Sequence, residues 1–298
     1  MSSHTSAPSA PPADRGPRTT RRRALAALNA TLTAALVTLA ARPAVAQTDF
    51  YNTDAGRPLT IEDAYPVERR AIELQLAPLR LERARGGVYH WGLEPEFAVG
   101  LLPRTQLEVG FPLAFVEGVG HRTAGLAGVE LSALHNLNVE TAIPALALVG
   151  DVLLPAGGLG PDRAYASVKG IATKTFSFAR FHVNGQYTVS DRLPADDAGT
   201  PGDEIGPGAA ELSQWQAGMA VDRTFPLRSL LVTGELFARQ PLRAGEEVEW
   251  NTAAGARYQL SPRVAGDLGA GYRLNGPDRG WYATVGAAVA VGLPWRNR

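Results

Sequence analysis

The sequence predicts an all-β chain closed into an antiparallel transmembrane β-barrel of about twelve strands, preceded by a signal peptide. Three observations carry that expectation. The stretch Phe181 to Ser190, FHVNGQYTVS, puts Phe181, Val183, Gly185, Tyr187 and Val189 on one side of an extended strand. His182, Asn184, Gln186, Thr188 and Ser190 fall on the other, because successive strand side chains point to opposite faces. The same alternation recurs at least ten more times between Ala71 and Leu293, mostly in runs of ten or more residues. That length is generous for soluble strands and right for tilted membrane-spanning ones. Finally, short turns alternate with long loops along the chain, as in a barrel with one rim in the periplasm and the other outside.

Residues 1–20 are rich in Ser, Pro and Thr and are expected to be a disordered extension. Arg21-Arg22-Arg23 then leads into ALAALNATLTAALVTLA, and Ala44-Val45-Ala46 precedes Gln47. A positive region, an apolar core and a small-x-small site make residues 1–46 a cleavable secretory signal. No later run is apolar enough to span a bilayer as a helix. Residues 1–46 hold six arginines and one acid, which leaves 23 basic and 28 acidic residues in the remainder. That mildly acidic balance gives no sign of a nucleic-acid partner. The chain has no cysteine, and its five histidines form neither HxxxH nor HxH pairs, so no cofactor or metal site is expected.

Residues 47–68 are polar, with Pro58 and Pro66, and are expected to be an irregular periplasmic lead-in to a barrel at 69–298. Twelve strands are predicted, at about 69–83, 90–102, 105–117, 125–138, 144–155, 164–177, 179–191, 213–224, 229–239, 247–260, 263–274 and 281–293. Minimal turns LPRT, FSFAR, FPLRS and LSPR alternate with EGVGHR, PAGGLGPDR, Arg192–Leu212, QPLRAGEE and NGPDR. The fourth link, NLNVETAIP, is longer than the other short turns.

Apolar faces of such strands meet lipid and polar faces line the lumen. Phe97, Val99, Leu101, Leu107, Val109, Phe111, Met219, Val221, Leu268 and Val285 are expected outside, with Trp91, Phe115, Trp215, Trp250, Tyr258 and Trp281 near strand ends as girdles. The lumen is expected to be lined by Glu73, Glu94, Glu96, Glu108, Glu130, Asp151, Lys169, His182, Asn184, Gln186, Glu235, Arg257, Asp267 and Arg273. A soluble core could not bury so many charges unpaired. The set is acid-heavy, so a conducting pathway is expected to favour cations or neutral polar solutes mildly. Twelve strands lie between barrels filled by side chains and barrels wide enough for a channel.

No enzyme is expected. Outer-membrane phospholipases use His-x-Ser-Asn-Gly, and the nearest string, His182-Val183-Asn184-Gly185, lacks the serine. Asp196-Asp197 sits in a Gly/Pro/Ala-rich loop whose composition suits a solvated segment rather than a protease rim. The glycine strings VGFPLAFVEGVG and DLGAGYRLNG fall on strands and hairpins, not at strand-to-helix turns, so they carry no nucleotide-binding meaning.

RPLTIEDAYPVERRAIELQLAPLRLER and WGLEPEFAVGLLPRTQLEVGFPLAF carry a family resemblance. With Glu62-Asp63-Ala64 ahead of the first strand and Gln106-Leu107-Glu108-Val109-Gly110-Phe111-Pro112 after a short turn, the chain resembles the outer-membrane transporters named for a MetA-type pathway of phenol degradation. The resemblance implies an outer-membrane barrel, porin-like, for small solutes, apolar or aromatic ones among them, and supplies no catalytic residues. It departs from the usual terminal assembly signal, since Arg296-Asn297-Arg298 follow Trp295. The expected role is passive transport or binding of a small solute in the outer membrane, with lipid, the barrel-assembly machinery and the solute as partners. The alternative is a non-conducting structural or adhesive barrel acting through the Arg192–Leu212 loop.

Overall fold

A computed structural model describes residues 51–54, 56–83, 89–118, 121–190, 212–242, 245–276 and 279–292. The signal segment 1–46, loop residues 191–211 with Asp196 and Asp197, and Leu293 to Arg298 lie outside the described residues. Fourteen strand segments follow one another. They are β1 (Ala71–Arg83), β2 (Tyr89–Leu102), β3 (Thr105–Gly110), β4 (Leu113–Gly118), β5 (His121–Leu126), β6 (Val129–Asn136) and β7 (Ala145–Leu154). Then come β8 (Tyr165–Thr175), β9 (Arg180–Ser190), β10 (Gln214–Thr224), β11 (Leu230–Pro241), β12 (Glu249–Ser261), β13 (Val264–Arg273) and β14 (Gly280–Gly292). These strands all pair antiparallel, and β1 bonds both β2 and β14, so the sheet closes on itself.

Fourteen segments make twelve staves. β3 and β4 both pair with β2, one beside Glu96–Leu102 and the other beside His90–Leu93. They are two halves of a single stave interrupted at Phe111-Pro112, where proline has no N–H to give the ladder. β6 pairs with β3 and β5 with β4, so the next stave breaks at the same height, at Ala127-Gly128. The break is bridged by Phe111 N–H to Pro95 O at 3.0 Å and Ala127 N–H to Pro112 O at 2.7 Å. The remaining staves agree with the predicted strands to within two residues at nearly every end.

Alternation decides which face points in. On β9, Phe181, Val183, Gly185 and Tyr187 are exposed while His182, Asn184 and Thr188 are buried. The register carries this around the wall, Tyr187 opposite Trp215 and Val183 opposite Met219. Outward positions are apolar and uncovered, Met219 at 59% exposure, whereas Asn251, Asp222, Arg257 and Gln75 are buried inside. This polarity is the reverse of a soluble domain's.

The interior is filled. The sequence reading leaves residues 47–68 in the periplasm, but the described part, from Tyr51 on, runs inside the barrel. Tyr51 O accepts from Arg180, at the short-turn end of β9. The segment climbs to Pro58, whose carbonyl accepts from Thr284 at 3.0 Å. It then descends past Glu235, Asn184 and Thr173 to Val67, and Arg70 N–H to Gly100 O (2.7 Å) delivers it to β1. Asp63 ties the two arms together, accepting from Thr53 N–H at 3.1 Å and donating its own N–H to Thr53 O at 3.1 Å. The sequence missed this plug because a segment without periodicity carries no sign of which side of the wall it occupies.

The wall is shaped for the plug. At inward positions where most neighbours are polar, Ala220 and Phe237 receive Ile61, Ala253 and Tyr282 receive Leu59, and Leu134, Ala145, Ala147, Val149 and Ile171 receive Ala64. A Cβ at Gly269 would stand 2.5 Å from Pro58 O, and one at Gly255 3.0 Å from the Pro58 ring. Only residues without a side chain let the turn of the plug lie against these staves.

The outward face makes a direct prediction. Met219→Arg, at the centre of β10, is expected to cost about 2–4 kcal/mol in urea refolding into phospholipid vesicles, the penalty for a charge near the bilayer midplane. A cost near zero would mean that this face meets water.

Candidate functional site: a plugged lumen

An irregular segment inside a barrel has no ladder of its own, so its backbone polar groups must find side chains. The wall supplies them. Glu235 Oε2 accepts from Thr60 N–H and Ile61 N–H, both at 2.8 Å. Asn184 bonds Glu62 twice, accepting from its N–H and donating Nδ2–H to its carbonyl, each at 2.9 Å. Asn136 Nδ2–H reaches Ala64 O at 2.8 Å, and Gln106 Oε1 accepts from Val67 N–H. Arg257 donates to the carbonyls of Asn52 and Arg57.

Charges are held in the same way. Arg57, fully buried, lies 2.5 Å from Asp54, 3.3 Å from Glu73 and 3.6 Å from Asp267. Burial would lower the affinity of its guanidinium for the proton, but these three carboxylates raise it. Lys169 pairs with the plug carboxylate of Glu62. Arg180 grips Asp222 through two bonds, 2.9 and 2.7 Å, and stands 3.6 Å from Asp63. His182 sits between Thr173 Oγ1 and Asp222, each 3.0 Å from a ring nitrogen. Thr173 already accepts from Ala64 N–H at 3.0 Å. All groups are satisfied when Thr173 O–H donates to Nδ1 and Nε2–H donates to Asp222. A hydroxyl, imidazole and carboxylate in a row would suit nucleophilic chemistry in an open cleft. Here Thr173 and His182 are both fully buried and the hydroxyl holds the plug.

The predicted lumen residues fall into three places. Glu73, Lys169, His182, Asn184, Glu235, Arg257 and Asp267 hold the plug directly or through one neighbour. Glu96, Glu108, Glu130 and Asp151 line a cavity of about 40 Å³ together with Glu62 and Lys169. Glu94 lies on β2, Gln186 bonds Thr188 at 3.3 Å, and Arg273 pairs with Glu82 at 2.6 Å. The two strings that carry the family resemblance meet in that cavity, since Glu62 comes from one and Glu108 and Gly110 from the other. Sequence reasoning did not single out Arg57, Thr173, Asn136 or Arg180, and named Asp63 only within the motif that carries the resemblance. Their one sequence signal is the interleaving of Leu59, Ile61 and Ala64 with charge, which suits a segment packed on two sides. Among the described residues no group of His, Asp and Glu side chains could hold a metal ion.

The long fourth link has a use. Glu140 within it accepts from Thr175 N–H at 2.8 Å, Thr175 O–H at 2.9 Å and Tyr65 O–H at 3.1 Å, closing over the foot of the plug. Its burial acts to raise the carboxyl, but these bonds and Lys174 hold it below the usual range. Burial pushes Asp63 the other way, up to about 7, against the pull of Arg180 and His182.

Two outcomes follow. The chain lacks cysteine, so Ile61→Cys gives a single thiol that a membrane-impermeant maleimide reaches only when the plug leaves. Removing the acceptor of two buried N–H groups with Glu235→Ala should cost about 3 kcal/mol of docking and speed labelling roughly a hundredfold; an unchanged rate would mean Glu235 does not hold the plug. A carboxyl raised on docking binds its proton more tightly in the docked state, so docking weakens as pH rises from about 4 to about 7 and levels off above. Ile61→Cys labelling, divided by that of an exposed Leu227→Cys control, should therefore be greater at pH 8 than at pH 5, and the opposite order would refute the assignment.

No protein-family model matches the chain, and no curated protein matches it either. Solved structures do resemble it. An outer-membrane channel from Pseudomonas putida F1 superposes with a TM-score of 0.54 at 14% identity, over 80% of this chain and 99% of that one. The KdgM porin gives 0.48 at 10% identity over 74% and 98%, and the translocator domain of the autotransporter NalP from Neisseria meningitidis 0.47 at 10% over 74% and 87%. The first of these shares the closed antiparallel barrel; at such identities the likeness is one of fold.

Proposed function

We propose that this chain is a Gram-negative outer-membrane channel, exported by the cleavable signal of residues 1–46, through which small solutes pass passively when the plug leaves the lumen. The observation that carries the reading is how the plug is held. It rests on side-chain hydrogen bonds and ion pairs from a polar wall, groups that water can satisfy once the segment moves, together with apolar seats for Leu59, Ile61 and Ala64. A hydrated, mostly acidic pathway along Glu94, Glu96, Glu108, Glu130 and Asp151 would remain. That lining supports cations and neutral polar solutes over anions. The resemblance of Glu62–Ala64 and Gln106–Pro112 to the phenol-pathway transporters supports small apolar or aromatic solutes. The uncovered apolar outer face supports lipid as its surroundings and the barrel-assembly machinery as its route there.

The filled lumen also supports a second reading, a barrel that never opens and acts structurally or through its Arg192–Leu212 loop. Planar-bilayer recording of the refolded mature chain separates the two. Native protein should give rare steps, and a Glu235→Ala, Asn184→Ala double variant frequent ones, with reversal potentials that favour cations in a salt gradient. Silence from both proteins would favour the closed barrel, and anion preference would remove the assigned role of the acidic wall.

A further inference from the structure

A groove of about 570 Å³ opens at the short-turn mouth, beside the foot of the plug. Its volume suits a small organic molecule. One side is the plug, with Tyr51, Asn52, Tyr65 and Pro66; the other is the rim, with Arg104, Asn136, Val139, Thr175 and Arg180. Its chemistry departs from that of the lumen above. Among its described lining residues none is a carboxylate, two are guanidinium groups, and two phenol rings and a valine offer flat apolar surface. Tyr51 is 41% exposed and Val139 68%, so this surface is uncovered.

The two arginines differ in what they can still do. Arg180 is committed to Asp222, Asp63 and Tyr51 O. Arg104 donates to Leu137 O at 3.1 Å and makes no ion pair among the described residues. It sits in the left-handed backbone region, φ 58°, in the turn between β2 and β3. A guanidinium presents five N–H donors in a fork that fits a carboxylate, so most of its capacity is unused. Glu140, the acid bound to Tyr65, is already engaged by Thr175 and Lys174.

We propose that this groove binds a small organic monoanion with a flat apolar body, its carboxylate on Arg104 and its body against Tyr51, Tyr65 and Val139. Because one wall is plug and the other is barrel, a bound anion bridges them and holds the plug closed. The site itself needs only the groove; the effect on the plug rests on the channel reading above.

Calorimetry on the full mature chain in detergent tests it, with benzoate as the probe and acetate and benzyl alcohol as controls. Benzoate should bind, acetate and benzyl alcohol should bind more weakly or not at all, and Arg104→Asn should weaken benzoate about tenfold, the loss of a charge-assisted contact. Asparagine tolerates the left-handed backbone, and heat-modifiable migration checks that the variant is folded. Arg104→Lys should restore part of the affinity. Benzoate should also slow maleimide labelling of Ile61→Cys in a chain that keeps Arg104. No benzoate binding, equal binding in Arg104→Asn, or acetate as tight as benzoate would each overturn the proposal, and so, in a chain whose plug leaves, would labelling unchanged at saturation. Benzoate binding by a barrel that never conducts would leave the site standing and remove the channel reading, and conductance without benzoate binding would do the reverse.

Discussion

The structure depends on how an irregular segment keeps its backbone hydrogen bonds inside a closed barrel. Among the described residues from Tyr51 to Val67 there is no helix and almost no sheet pairing, so the buried N–H and C=O groups are met by the wall or, as where Asp63 meets Thr53, by the segment itself. Thr284, Glu235, Asn184, Thr173, Asn136 and Gln106 meet them in sequence along the path. This requirement explains why the inward face is polar at those staves, and why carboxylate and carboxamide groups outnumber hydroxyls there. It also explains the few inward apolar residues. Phe237, Tyr282 and Ile171 are not lapses in the alternation but seats for Ile61, Leu59 and Ala64.

Much of the barrel was legible because period-2 alternation is local information. A strand such as β9 declares both faces within eleven residues, and the register then follows from neighbours of the same length. The breaks at Pro112 and Gly128 were less visible, since alternation continues through Phe111 and Leu113 while the hydrogen-bond ladder does not. The lumen was legible as a face but not as a site. His182, Asn184 and Glu235 could be placed inward, yet nothing near them in sequence names Thr173, Glu62 or Ile61, their partners 9 to 174 residues away. Position 58 is the clearest case. The fit of Pro58 is written in the absence of side chains at Gly255 and Gly269, and glycine in a strand equally marks a bulge or a tight bend.

Charge follows the same division between local and distant. The acid excess of residues 47–298 could be counted from the sequence, but not its distribution. Acids on β2, β3, β6 and β7 share one small cavity with Lys169 and Glu62, whereas Arg57, Arg180 and Arg257 gather about the plug. The groove at the mouth, with no carboxylate among its described lining residues, contrasts with both.

The plug precedes the first strand, and this bears on how the barrel is made. Its bonds to Asn184, Glu235 and Thr284 span 122, 174 and 226 residues, and the seam between β1 and β14 spans the whole sheet. Contacts of such separation carry the largest loop-closure cost and form late, after the hairpins between neighbouring staves. The plug and the seam therefore close over comparable chain separations, in the last steps of assembly rather than hairpin by hairpin.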